Sequence, residues 1–346
     1  MEILSNKLFG AAGLLTDKHP FHKHSEVSYF IAIRNKKIIG RIAAFINNSH
    51  INYHKEKVGF FGFFEVIDDY DIAKILLEEA RKWIKDKGME MMRGPSNFSS
   101  NETWGLLVEN FYDYPMVYTP YNKKYYENFL LQFGFAQTMD LLALTMPVMD
   151  KTTEQIDRRK RIEKIAERIR KKQNITIRPL NLKKFDEELK HLSYIYEHAW
   201  GKNWGFIPLT EHEFKDIAVG MKALLKPFPG LATIAFVDGE PAGFIASLPD
   251  FYEFTRVKRN FLGNSDLIRL LRYMKKKKKH KRVRLFLFGL TEKYRKSGLD
   301  AILFLESFKF AQTKGFEECE ISWLLETNKL VISHSMDMDA KVYRKW

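Results

Sequence analysis

The stretch RVRLFLFGLTEKYRKSGLDAILFLESFKFAQTKGFEECEISWLLETN (282–328) decides the fold class. Its first nine residues form a β-prone run, apolar but for Arg282, Arg284 and Gly289, the pattern of a buried strand. The polar loop TEKYRKSG separates that run from LDAILFLESFKFAQTKG, a helical segment with Gly315 standing where a C-terminal cap belongs. FEECEISWLL (316–325) then returns as a strand. An apolar strand, a loop, a helix and a second strand in this order point to an α/β protein with a mixed sheet.

The loop also carries chemistry. The first turn of a helix has unsatisfied N–H donors and a partial positive charge, so the junction at Gly298 suits a pyrophosphate. Glycine lets the backbone approach an anion, and Arg295 and Lys296 add positive charge.

Working outward, 27–46 reads as a hairpin, with strands Val27–Ile33 and Ile38–Ile46 around a polar turn. VGFFGFFEV (58–66) suits a buried central strand. A helix ending at Gly88, the strand MEMMRGP (89–95), a second helix ended by Gly134 and the strand MDLLALTM (139–146) complete a first half. After position 174 come two helices, a hairpin turning at Asp238-Gly239, and the deciding stretch itself. The shared order predicts a duplicated architecture: a domain at 1–149, a basic linker helix at 150–174 with Ile162, Ile165 and Ile169 on one face, and a domain at 175–346.

The chain's 346 residues fit two domains, and its net charge of +14 favours partners carrying phosphate or carboxylate. The single Cys319 excludes a disulfide framework and a CxxC zinc site, which suits a reducing, cytoplasmic setting. No apolar run reaches the ~18 residues of a membrane span, and MEILSNKLFG lacks the layout of a secretion signal. P-loop, dinucleotide and serine-hydrolase motifs are missing from the sequence. His19, His22 and His24 have spacings a metal can use, but no helix motif such as HExxH accompanies them, so a structural role is expected and no metal.

The 283–328 element resembles the acyl-CoA site of the GNAT superfamily of N-acyltransferases. Nearly the whole chain resembles a prokaryotic family of tandem GNAT-like proteins, on HPFHKHSEVSYFIA (19–32), GRIAAFINNSH (40–50), GFFGFFE (59–65), RGPSNFSSNETWGLLVENF (93–111) and EISWLLETN (320–328). The resemblance implies two tandem GNAT-like domains and N-acyl transfer from acetyl-CoA or another acyl-CoA to an amine of a small molecule or peptide. It places the cofactor on Leu290, Arg295, Lys296, Ser297, Gly298, Leu299, Asp300 and Asn328. Arg295 and Gly298 match the loop pattern Q/R-x-x-G-x-G/A. Asp300 departs from it, putting a carboxylate where a small residue stands. The equivalent first-half loop, VIDDYDIA (66–73), has three aspartates and no glycine, so it should repel a pyrophosphate.

Trp323 and Glu326 lie at the end of the strand expected to part from its neighbour, with Glu326 the candidate base, direct or through water. The other reading of Glu326 is a cap on the following helix. Asn97, Ser99 and Asn101 are candidates for binding the acceptor, or for capping. The run Lys275–Arg284 is either a solvated loop or a contact for tRNA or another polyanion. Two further functions stay open: a Fem-type transferase fed by aminoacyl-tRNA, and a non-catalytic GNAT-fold binding protein.

Overall fold

Alternation through 26–46 produces the first hairpin, in which β1 (Glu26–Arg34) and β2 (Lys37–Ile46) pair antiparallel. Asn35 and Lys36 turn the chain with φ of 51° and 62°, as a two-residue type I′ turn requires. The computed structural model describes residues 15–16, 19–172, 174–250, 252–255 and 280–346. The described part of Lys275–Arg284 begins at His280; the rest of that run lies outside the described residues.

β3 (Val58–Val66) pairs antiparallel with β2 and parallel with β4 (Met91–Arg93), giving a four-stranded sheet in the order β1-β2-β3-β4. β3 is nearly all apolar because both faces of this sheet are covered. Phe61, Phe64 and Val66 pack with Leu76, Leu77, Ala80 and Ile84 of the Tyr70–Asp86 helix, while Val58, Phe60 and Phe63 join Phe21, Phe45 and Phe98 on the other face. The two faces exchange parity between Phe61 and Phe63, where the β2–β3 register slips and Phe63 takes a φ of 48°.

The second sheet has seven strands in the order β11-β5-β10-β9-β8-β7-β6. These are β5 (Leu141–Pro147), β6 (Ile175–Pro179), β7 (Ala232–Val237), β8 (Glu240–Pro249), β9 (Arg282–Leu290), β10 (Glu318–Leu325) and β11 (Lys341–Lys345). Here the structure corrects the sequence reading, which closes the first half with 139–146 as its own last strand. That strand lies instead between β10 and β11. Strand pairing at this range is decided by which edge offers unpaired backbone, which local pattern does not encode.

The chain divides into two compact units. The first holds the described residues up to Leu141 with Trp204–Glu213 and Arg344–Trp346, and the second holds Leu142–Asn203 and Phe214–Tyr343. The basic helix, Thr153–Lys172, belongs to the second unit, where Ile162, Ala166 and Ile169 pack on Ile302 and Leu305 of the Leu299–Thr313 helix. Ile165, grouped with them by spacing, is 51% exposed.

Candidate functional site

β9 and β10 run parallel and pair over four rungs, from Arg282↔Glu318 to Leu285↔Ile321. Past that last rung the strands continue unpaired, so a fork opens between Phe286–Leu290 and Ser322–Leu325. The β8–β9 register slips at the same level: Ala246 faces Leu287 and Ser247 faces Leu285, which makes Phe286 the extra residue of a bulge. A bulge twists its strand away from a neighbour, so the fork and the slip have one origin.

The loop after β9 reaches the helix at Leu299 through Gly298, at φ 80°, with Lys296 also at positive φ, 65°. Ser297 Oγ accepts from the Leu299 N–H at 3.3 Å and donates to the Tyr294 carbonyl. Among the described residues, the amides of Lys296 and Gly298 take no hydrogen-bond partner. Arg295 donates to the Ala199 carbonyl at 2.7 Å, and Tyr294 is buried with its hydroxyl near Glu240. A Cβ at 298 would stand 2.2 Å from Ile169 Cδ1, so the basic helix rests against the loop. Asp300 lies in the first turn of the helix, where a carboxylate is stabilised by the helix dipole. Leu299 is fully buried and Leu290 nearly so.

At the root of the fork lies a polar cluster that the sequence reading missed. Arg284, with no exposure, and Glu320, 1% exposed, face each other on the rung before the last. Ser322 Oγ donates to Glu320 Oε1, Arg284 Nε donates to Ser322 Oγ at 2.8 Å, and the Tyr343 hydroxyl donates to Glu320 Oε2. The Arg284 guanidinium also lies over the rings of Phe286 and Trp323, 4.9 and 5.3 Å from their centroids. The available signal was period-two polarity: Glu318, Glu320 and Ser322 alternate with Cys319 and Ile321 on one strand, opposite Arg282 and Arg284 on the next.

Trp323 lies in β10 past the last rung that β10 shares with β9, its ring 5.3 Å from the Arg284 guanidinium. Glu326 is exposed beyond the strand end, and Asn328 precedes the Lys329–Met336 helix without a side-chain cap bond. Burial drives the Cys319 thiol up to about 12, so it stays protonated and is no nucleophile. A hollow of about 40 Å³ beside Arg158, Arg159 and Phe304 includes no residue of the fork or the loop.

The first unit has the same elements in a closed form. β3 and β4 separate after Phe60↔Arg93, but the following loop fills the gap: Ser96 N donates to Phe61 O, and a Cβ on Gly62 would overlap the Ser96 carbonyl. Asp69 caps the Tyr70–Asp86 helix and pairs with Arg34. Asn97, Ser99 and Asn101 hold this loop together. Asn97 Oδ1 accepts from the Phe63 N–H at 2.8 Å and its Nδ2 donates to Thr103, Ser99 Oγ accepts from Asn101 N, and Asn101 donates to Ile207 O.

Protein YghO of Escherichia coli (strain K12) is 31% identical over 337 residues, 96% of this chain and 84% of that protein. Bacterial ceramide synthase of Caulobacter vibrioides (strain NA1000 / CB15N) is 30% identical over 341 residues, 96% of this chain and 85% of that protein. The chain belongs to their family. The family fold is that of tandem GNAT proteins. A tandem GNAT protein from the clavulanic acid biosynthesis pathway superposes with a TM-score of 0.51 over 95% of this chain and 82% of its own, at 9% identity. The glucosamine N-acetyltransferase region of a fungal multi-domain β-N-acetylglucosaminidase does so with 0.52 over 99% of this chain and 35% of its own, at 13% identity. No family model matches the chain. Among the described residues, no helix is long and apolar enough to cross a membrane.

Proposed function

We propose that this protein is an acyl-CoA-dependent N-acyltransferase whose second unit binds the donor, and that its acceptor is a long-chain amino alcohol. The observation that carries the reading is the parting of β9 from β10 beside a glycine-opened helix N-terminus. The residues present fit the donor. Lys296 and Gly298 amides, with the cationic side chains of Lys296 and Arg295, would hold its diphosphate, and Phe286, Trp323 and Leu290 would line the fork. Acyl-CoA supplies an acyl group as a thioester, electrophilic at its carbonyl.

An attacking amine must first lose a proton, because alkyl amines are ammonium ions at neutral pH. The Tyr343 oxygen accepts that proton while its own hydroxyl proton passes to Glu320 Oε2, along the hydrogen bond already present. On attack the nitrogen sheds a second proton, which reaches the departing thiolate through the same hydroxyl, and the proton held on Glu320 leaves to solvent by way of Tyr343. Arg284 and Ser322 keep Glu320 oriented. Glu326 remains a candidate to receive the proton from solvent-exposed amine. The acceptor class is taken from the relative's name: ceramide is the amide of a long-chain amino alcohol, and the similarity to that synthase spans nearly the whole of this chain.

One observation favours a non-catalytic binding protein instead, namely Ile169 resting on Gly298. The atom concerned is the far end of a flexible side chain, which a rotamer change removes. The test supplies decanoyl-CoA and a long-chain 2-amino-1,3-diol together and follows free thiol and amide product. Thiol release that requires the amine and matches the amide in amount supports the reading. Decanoyl-CoA that binds without any amide formation overturns it.

A further inference from the structure

The first unit contains a second cluster of titratable groups. His19 Nδ1 accepts from the Phe21 N–H at 3.4 Å, so its Nε2 carries the proton directed at Glu102 Oε1, 3.2 Å away. His24 Nε2 lies 3.0 Å from Glu213 Oε1, and its Nδ1 contacts Ser25 Oγ at 2.8 Å. Glu213 Oε2 accepts from both the amide and the hydroxyl of Thr210. These four side chains are each 14–23% exposed, so the pairs meet solvent although Glu102 Oε2 itself does not.

Their hydrogen bonds do not close. Both oxygens of Glu213 are satisfied, whereas Glu102 Oε2 is sealed from solvent and has no partner. No Lys or Arg among the described residues pairs with either carboxylate. Burial lifts the Glu102 carboxyl above its ordinary range, more than His19 lowers it, and the Glu213 charge adds to the rise. Burial also pushes Glu213 up, but bonds from His24 and Thr210 outweigh it and hold that carboxyl below its usual range. The cluster therefore lacks at least one N–H donor, at Glu102 Oε2, and among the described residues has no Lys or Arg cation beside its two carboxyl groups.

We propose that the His19–Glu102 and His24–Glu213 pairs of the first unit form a binding site for a primary ammonium group. A primary ammonium brings three donors on one small head, one of which satisfies Glu102 Oε2. The buried Phe98 ring, 5.8 Å from His19 and stacked on Phe21 at 4.2 Å, backs the His19 imidazole and holds it in place. A metal ion is not what the geometry suits: among the described residues no group of three or more His, Cys, Asp or Glu is arranged to hold one. Only the choice of a long-chain amine as the natural ligand rests on the acyltransfer reading; the argument from charge does not.

The full chain is titrated at neutral pH with hexylamine, with N-hexylacetamide as a neutral control and hexyltrimethylammonium as a cation without N–H donors. Hexylamine is expected to bind, with both controls weaker by about ten-fold or more. Glu102→Gln is expected to weaken hexylamine by about ten-fold. Glu213→Gln serves the same purpose if Glu102→Gln lowers the melting temperature. Binding of the amide as tight as that of the amine, equal binding by a folded Gln variant, or no binding of hexylamine up to about 10 mM overturns the site. Decanoyl-CoA binding is measured separately on the same samples. Loss there with hexylamine binding intact contradicts the acyltransferase reading and leaves the ammonium site standing.

Discussion

Glu320 and Arg284 occupy facing positions on the last rung but one before β9 and β10 part, and neither is appreciably exposed. A guanidinium and a carboxylate so deeply placed cost desolvation unless each keeps its partners, and here Ser322 and Tyr343 complete the set. Glu320→Gln leaves a buried cation without its counter-charge. The expected outcome is a loss of about 3 kcal/mol in urea unfolding, with Arg284→Met/Glu320→Met recovering much of it.

Tyr343→Phe removes the hydroxyl and little else. It is expected to reduce kcat by about a hundred-fold while decanoyl-CoA affinity stays within about two-fold. An unchanged kcat would remove Tyr343 from the proton path.

Asn97→Ala separates a structural from an acceptor-binding role. Loss of the bond from the Phe63 N–H leaves that buried donor at the bulge unpaired, so a cost of about 1–3 kcal/mol in stability is expected, with KM for the amine unchanged. A raised KM at unchanged stability would assign Asn97 to the acceptor.

Much of the fold was legible because its signals are local. The Asn35-Lys36 turn, the caps at Gly88, Gly134 and Gly315, and the β9–loop–helix junction each depend on residues near one another in sequence. What was not legible depends on distant partners. The place of β5 in the second sheet, the reach of Tyr343 to Glu320, and the pairing of His19 with Glu102 and His24 with Glu213 are fixed only after collapse. A structural role for the histidines follows from the sequence because no helix motif such as HExxH accompanies them. Glu326 drew notice for its place at a strand end, while Glu320, six residues earlier, was hidden inside the strand.

His50 makes stability pH-dependent. Burial, above all, pulls its imidazole from 6.5 to about 4, against the hydrogen bond to Glu56, and the nearby His54 and Arg93 charges act in the same direction as burial. The unfolded chain binds this proton at higher pH than the folded one. Stability is therefore full above pH 6.5 and falls as the pH drops towards about 4, by about 3 kcal/mol. Urea unfolding at several pH values checks this, and His50→Asn should flatten the slope. An equal slope in that variant would place the titration elsewhere.

The most direct test of the account is calorimetric titration of decanoyl-CoA into the full chain and into Gly298→Glu, whose side chain would enter the loop against Ile169 and bring a negative charge to it. The account predicts saturable one-site binding to the wild type and none to a folded Gly298→Glu. Binding that survives this substitution, or a wild type that takes up no donor, would contradict it.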